Sequence, residues 1–322
     1  SMSTRIALLM MQKNERLLLD PWITYHRSLV DPASIFVFDN GSTDPQTLAI
    51  LEAAEASGVS VNRSFNQHQD YFKCGLIFAE TIKQLDNRDP HDFYFAMDCD
   101  EFLACDQAGR ISCSLNDIDQ VLARFANSRK VLTIPHKYVN SPYHPNRYSK
   151  LTWCKKCFFA KGACASLEHG FHQGCSIAGS EELETGITYI EFHYKPYSEH
   201  LRLSRQKIEY LLPDLKRHTL SEYVKTKRSN FHSAIALLQS EYTYFQSFDK
   251  QHQTRMDSSL LQRFTELCID SNALFDSSDN LNVPRRAMML ARHWQLQSND
   301  AATSLYYRFR SKASAIKRFL RH

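Results

Sequence analysis

Phe93-Tyr94-Phe95-Ala96-Met97-Asp98-Cys99-Asp100-Glu101-Phe102-Leu103 is the stretch on which the fold turns. Its first five residues are apolar or aromatic, the pattern of a strand buried on both faces, and the run then breaks into acidic residues at alternate positions. Side chains two apart on extended chain point to the same side, so Asp98 and Asp100 are expected to project together from the strand end. Hard divalent cations take oxygen ligands, and Mg²⁺ is often held by one or two carboxylates plus substrate phosphates. The stretch therefore points to a phosphorylated substrate.

Working outward, the chain before this strand alternates strand and helix. Arg5 to Met11 reads as a strand and Leu17 to Leu29 as a helix with Pro21 near its start. Ile35-Phe36-Val37-Phe38 is a short strand running into Asp39-Asn40-Gly41-Ser42-Thr43-Asp44, a sextet of turn-forming residues. Gln46 to Ser57 reads as a helix ending at Gly58, Val59 to Val61 as a strand and Cys74 to Leu85 as a helix. This alternation predicts an α/β domain with a mainly parallel sheet. In such sheets ligands gather beyond the C-terminal strand ends, which puts Asp39 and Asp98 on one rim. Val131 to Pro135 and Gly186 to Tyr194 read as further strands around a region rich in Cys, Gly, His and aromatics. After Pro196 the pattern turns helical, with breaks near Pro213, between Asp276 and Asp279, and at Pro284. The expected division is an α/β domain over residues 1–200 and a helical, basic region over 201–322.

The 322 residues are 43% hydrophobic and 23% charged, an ordinary globular balance that excludes disordered and fibrous classes. Net charge is +4, but residues 285–322 hold nine Lys/Arg and one Asp, so the remainder is net acidic. With no recognised binding motif, nucleic acid is not an expected partner. No stretch of 18 apolar residues is present, no secretory leader is read, and nine scattered cysteines fit reduced thiols. The expected location is cytoplasmic, with contact at the inner face of a membrane through the last helix, roughly Ser304 to Leu320. Leu305, Phe309, Ile316 and Leu320 share one side of that helix, and Arg308, Arg310, Lys312, Lys317, Arg318 and Arg321 fill much of the rest.

Several residue sets carry candidate chemistry. Asp39 in its turn can accept hydrogen bonds from base N–H or ribose hydroxyls. His193, at the end of a strand-like run, is a metal ligand or acid–base candidate. Cys154-x-x-Cys157 with Cys164, His169 and His172 offers thiolate and imidazole ligands for a structural zinc. A phosphatase reading of Asp98-x-Asp100 expects Thr two residues on, where this chain has Phe102.

The order of these landmarks resembles glycosyltransferases of GT-A fold, the family 2-like and family 92-like group. Met11-Gln12-Lys13-Asn14-Glu15 with Trp22 to His26 resembles their opening, and Asp39 to Asp44 their "DN-S-D" turn. Asp98 to Leu103 is similar to their "D-x-DEF" metal motif, and His193-Tyr194 with Ser198 and Lys207 to a later "HY…S…K" segment. The resemblance spans about residues 5 to 207. It implies a Rossmann-like catalytic domain, a nucleotide-sugar donor (a UDP-sugar first) and Mn²⁺ or Mg²⁺. It also implies transfer to a hydroxyl of a glycan or lipid-linked acceptor with inversion, as in surface polysaccharide assembly. Asn14, Glu15, Asp39, Asn40 and Asp98 are implied beside the nucleotide, and Asp98, Asp100 and His193 at the metal. Glu101 and His172 are the candidate bases, with Glu181 and Glu182 behind them. Lys155 to Phe159 departs from the group, lacking the Arg of its "K-x-x-x-R" strand. A homo-oligomer is a further expectation. The alternatives are a non-catalytic nucleotide-sugar binder of the same fold and a zinc-stabilised protein.

Overall fold

The computed structural model describes residues 4–142, 144–251 and 253–275. Among these, the chain runs β1 (Ile6–Gln12), α1 (Leu19–His26), β2 (Ile35–Asp39), α2 (Pro45–Ala56), β3 (Ser60–Asn62), α3 (His68–Phe72), α4 (Cys74–Arg88) and β4 (Phe93–Met97). There follow β5 (Glu101–Gln107), β6 (Arg110–Ser112), α5 (Leu115–Ala123), β7 (Val131–Ile134), β8 (Lys137–Asn140), β9 (Arg147–Leu151) and β10 (Lys156–Ala160). Then come β11 (Cys164–Leu167), β12 (Gly174–Ser176), β13 (Glu182–Glu184) and β14 (Ile187–Glu191). The last described elements are α6 (Tyr197–Ile208), α7 (Arg217–Thr226), α8 (Phe231–Leu238), α9 (Glu241–Gln251), β15 (Arg255–Met256) and α10 (Ser259–Glu266).

The main sheet has the order β13-β7-β10-β4-β1-β2-β3, with β1 parallel to both β2 and β4. All seven residues of β1 and all five of β4 are buried, the continuous apolar runs that a covered parallel strand needs. From β1 the chain steps outward to β2 and β3, then returns to the other side of β1 as β4. That reversal is a topological switch point, where open α/β sheets form their ligand crevice. The turn after β2 leads directly into α2: Asp44 caps it by accepting from the Thr47 amide at 2.9 Å, with Pro45 at the first helical position.

Fold class agrees with the α/β expectation, but the 93–103 stretch does not continue as one strand. It breaks at Asp98, and Glu101 opens β5 in a second sheet of order β15-β9-β8-β14-β5-β6. The two sheets are stitched at the break: the Tyr189 hydroxyl donates to the Ala96 carbonyl at 3.1 Å. On the far side the Tyr25 hydroxyl donates to the Leu103 carbonyl at 2.6 Å.

The chain divides into two compact units. Among the described residues, one comprises 4–140, Asn146–His193 and Thr254–Ser271; the other comprises Ser141–Pro145, Tyr194–Gln253 and 272–275. In the first, Thr254–Ser271 supplies β15 to the second sheet and α10, whose Phe264 ring lies 5.2 Å from Phe102. A sequence division at residue 200 falls within α6. The second unit is helical, and Ile208, Leu220 and Ala234 of α6, α7 and α8 form its buried cluster. Among the described residues no helix is long and apolar enough to cross a membrane. The expected helix at 304–320 and the breaks at 276–279 and Pro284 lie outside the described residues.

Candidate functional site

Two polar clusters sit on adjacent strand ends. The first closes β1 and β2, whose register pairs Gln12 with Asp39. Asp39 is 4% exposed; it accepts from the Gln12 amide at 2.9 Å and from the Ser42 hydroxyl at 2.5 Å. Asn14 takes the left-handed conformation, φ 54°, which an Asn tolerates better than most side chains. From there its Oδ1 accepts from the Thr43 and Asp44 amides at 2.8 and 2.9 Å. Asn14 and Asp39 thus lock the turn from both sides. Asn40 faces elsewhere, donating to the Phe65 and Gln67 carbonyls at 2.7 and 2.8 Å, so it fixes the chain after β3. The Glu15 amide donates to the Gln12 side-chain oxygen at 3.1 Å. A cavity of about 340 Å³ lies between β2, β3 and α4, with Phe38, Asn62, Phe65 and Ile77 in its wall, and neither Asp39 nor Asn14 lines it.

The second cluster closes β4. Met97 pairs with Met10, so Asp98 lies two strands from Asp39, about 10 Å by sheet spacing. In the Asp98–Glu101 turn the Asp98 amide donates to Glu101 Oε2 at 2.9 Å. β10 runs antiparallel to β4 with Phe158 opposite Phe95, which carries Lys156 to the same rim. Lys156 Nζ lies 2.6 Å from Asp98 Oδ2 and 2.5 Å from Glu101 Oε1. The Glu101 side chain is 0% exposed and that of Lys156 4%, whereas Asp98 is 54% exposed.

A second pair adjoins. The Phe192 amide donates to the Asp100 carbonyl at 2.8 Å, tying the end of β14 to the turn. One residue earlier, Glu191 Oε2 lies 2.5 Å from Lys137 Nζ, and its Oε1 lies 3.6 Å from His193 Nδ1. His193 itself is 61% exposed.

The electrostatics follow from burial and pairing. Burial pushes the Glu101 carboxyl up, to about 8, against the pull of Lys156. Burial opposes ionisation of Lys156, yet Asp98 and Glu101 outweigh it and hold the ammonium charged. Partial loss of water on its inner side also opposes ionisation of Asp98, but Lys156 overcomes this and the pKa lies below the usual carboxylate value. At Glu191, burial is outweighed by His193 and Lys137, and the carboxyl stays well below its ordinary range. One face of the turn therefore holds a buried lysine and the other turns a half-exposed carboxylate toward solvent.

The structure gathers Asp98, Asp100, Glu101 and His193 along one rim, with Asn14 beyond the adjacent strand β1 and Asp39 two strands away at the end of β2. Among the described residues, no three His, Cys, Asp or Glu side chains converge as a ready-made metal shell. The donor chemistry of Asp98 and Asp100 still suits Mn²⁺ or Mg²⁺, because such ions complete their coordination with phosphate and water. Glu101, expected as a candidate base, is enclosed and bonded to Lys156 and the Asp98 amide, so its geometry is that of a positioning group. His172 is half-buried, its Nδ1 2.8 Å from the Lys155 carbonyl, which leaves Nε2 as its acceptor. Glu181 and Glu182 pair with Lys130 and Lys155 at 2.7 and 2.5 Å.

The zinc set does not assemble. Cys157 is buried with Sγ 3.4 Å from the Phe171 carbonyl, Cys164 is buried in the core, and His169 lies against Tyr71 at 5.0 Å. Sequence reading missed Lys137, Lys156 and Glu191 as members of the site. The available signal was a lysine opening the otherwise apolar strand Lys156-Cys157-Phe158-Phe159-Ala160: a buried lysine demands a carboxylate partner.

No family model matches the chain, and no curated protein sequence matches it. Solved structures with similarity include glucosyl-3-phosphoglycerate synthase from Mycobacterium tuberculosis in complex with phosphoglyceric acid, at 16% identity and TM-score 0.25. That match covers 42% of this chain and 44% of the synthase, less than half of its length. S. aureus TarS 1-349 in complex with UDP matches at 12% identity and TM-score 0.34, covering 96% of this chain and 88% of that one. Superpositions this loose transfer no residue role to this chain.

Proposed function

We propose that this chain is a glycosyltransferase of GT-A type, moving a sugar from a nucleoside-diphosphate donor to a hydroxyl acceptor. The observation that carries the proposal is the pairing of two polar clusters on neighbouring C-terminal strand ends at the switch point. One, built by Asp39, Asn14 and Ser42, offers a buried carboxylate for base or ribose donors. The other, at the end of β4, brings the half-exposed Asp98 to the same rim, with Asp100 two residues on in the same turn. Their separation, about two strand spacings, suits a nucleoside on one side and its phosphates on the other.

In this reading Asp98 and Asp100 would hold Mn²⁺ or Mg²⁺, with His193 at the same rim. The bound ion would supply positive charge against the leaving diphosphate. The protein's own groups do the rest. Asp39 orients the nucleoside, Lys156 and Glu101 hold the Asp98 turn rigid, and Glu191 orients the His193 ring. His172 Nε2 is the proposed proton acceptor for the incoming hydroxyl, and direct displacement would invert the anomeric centre. The donor is proposed to be a UDP-sugar and the acceptor a glycan or lipid-linked glycan.

The test is a screen of nucleotide-sugars for thermal stabilisation and slow hydrolysis, with and without Mn²⁺, on wild type, Asp100→Ala and Asp39→Asn. Asp100→Ala is expected to keep its fold and lose metal-dependent hydrolysis by at least about a hundredfold. Asp39→Asn should weaken nucleoside-diphosphate affinity about tenfold, because its amide turns a donor toward the Gln12 amide and the Ser42 N–H. Donor binding without hydrolysis in wild type would favour the non-catalytic binder. No response to any donor would sink both.

A further inference from the structure

We propose that the second unit docks on anionic lipid surfaces through the pole formed by the end of α6 and the α7–α8 turn. This is independent of the transferase reading. Between Arg202 and Arg228 the chain has eight Lys/Arg against three Asp/Glu. The fold concentrates part of that excess at one end of the helices. Asn230, at the start of α8, donates to the Lys207 carbonyl at 3.0 Å, which joins the last turn of α6 to the α7–α8 connection. Arg205 and Lys207 on α6 then share a pole with Lys225, Lys227 and Arg228, all exposed. Glu209 lies at the same end, and Lys225 pairs with Glu222 at 2.6 Å.

Cations at helix C-termini are commonplace, since they offset the negative end of the macrodipole. That accounts for Arg205, Lys207 and Lys225. It does not account for Tyr210 and Leu211, which follow α6 directly and are each 37% exposed. An aromatic and an aliphatic side chain left partly exposed beside a cluster of cations is the composition that enters the headgroup boundary of a bilayer. A soluble polyanion would draw on the cations and leave the apolar pair in water, so the lipid surface fits the pole better.

The experiment is sedimentation of the full chain with vesicles of phosphatidylcholine alone or with about one third phosphatidylglycerol, in about 0.1 M salt. The variant is Arg205→Glu/Lys207→Glu/Arg228→Glu. Lys227 is left alone because it caps α7 in the left-handed conformation, φ 50°. Wild type should sediment with the anionic vesicles only, and the triple variant should lose at least about tenfold in partitioning with an unchanged melting temperature. Leu211→Ser should weaken partitioning without altering its salt dependence. Equal recovery of wild type and triple variant overturns the proposal. So does a wild type that ignores both vesicles while its binding to a soluble polyanion is lost in the triple variant. Should the triple variant unfold, Arg205→Gln/Lys207→Gln decides by the same criterion.

Discussion

Lys156→Met removes the ammonium that serves Asp98 and Glu101 while keeping a long side chain near the Phe171 ring, 5.3 Å from Nζ. Its cost divides by pH. Asp98 is 54% exposed, so solvent screens the lost pair and the penalty there is about 0.5–1 kcal/mol. Glu101 has no solvent to fall back on, and its carboxyl is raised from 4.5 to about 8 even with Lys156 present. A carboxyl raised on folding leaves the unfolded chain with fewer bound protons, so stability falls as pH rises through that window, by about 1.4 kcal/mol per unit. In wild type this loss ends near pH 8, where Glu101 ionises against Lys156. Without Lys156 the ionisation moves higher and the loss continues. The variant should therefore lie within about 1 kcal/mol of wild type at pH 5 to 7, and the gap should widen by about 1.4 kcal/mol per unit above pH 8. Its ceiling is the roughly 3–5 kcal/mol of an uncompensated buried charge. Adding Glu101→Gln to Lys156→Met should abolish the widening. Urea unfolding followed by circular dichroism at pH 5, 7 and 9 measures the gap. A penalty that is independent of pH, or larger at pH 5 than at pH 9, would refute the assignment of Lys156 as the counter-charge of Glu101.

Two further outcomes follow from the first unit. His26 is fully buried, with Nδ1 2.8 Å from the Trp22 carbonyl, and burial lowers its pKa to about 3. The unfolded chain takes up the proton below about pH 6.5, so this histidine removes about 1.4 kcal/mol of stability per unit as pH falls from there toward 3. His26→Gln should flatten that acid limb in urea titrations, and an unchanged limb would contradict the neutral ring. Gly75→Ala reverses a common rule. Alanine in a helix interior normally gains about 1 kcal/mol over glycine, but here its Cβ would come within 2.4 Å of the Leu167 and Glu168 backbone. Thermal melts should show a loss of about 1–3 kcal/mol, and a gain would mean that α4 and β11 do not cross this closely.

Several features could be read from sequence because their causes lie within a few residues of one another. Continuous apolar runs mark the strands at 6–12 and 93–97, since a parallel strand covered on both faces has no polar side to show. Asp44 followed by Pro45 announces the start of α2, and Gly58 with φ 99° marks the turn beyond its end. Asp39 and Asp98 could be assigned to one rim because strand-helix alternation fixes which strand ends point the same way. The sequence was misleading where a local pattern ran past its element: Phe102 and Leu103 look like a continuation of β4, yet they belong to another sheet.

What only the tertiary structure decided is the charge arrangement under that rim. Lys156 meets Asp98 across 58 positions of sequence, and Lys137 meets Glu191 from a neighbouring strand. No local periodicity encodes such a pair, because a buried charge such as Lys156, Lys137 or Glu191 is tolerated only once its partner arrives. The same reason hides the return of Thr254–Ser271 to the first unit: its two-residue strand and short helix gain their stability from Tyr148, Tyr25 and Phe102, not from their own sequence. Short-range propensities choose the elements. Long-range burial chooses which of their polar residues must find one another.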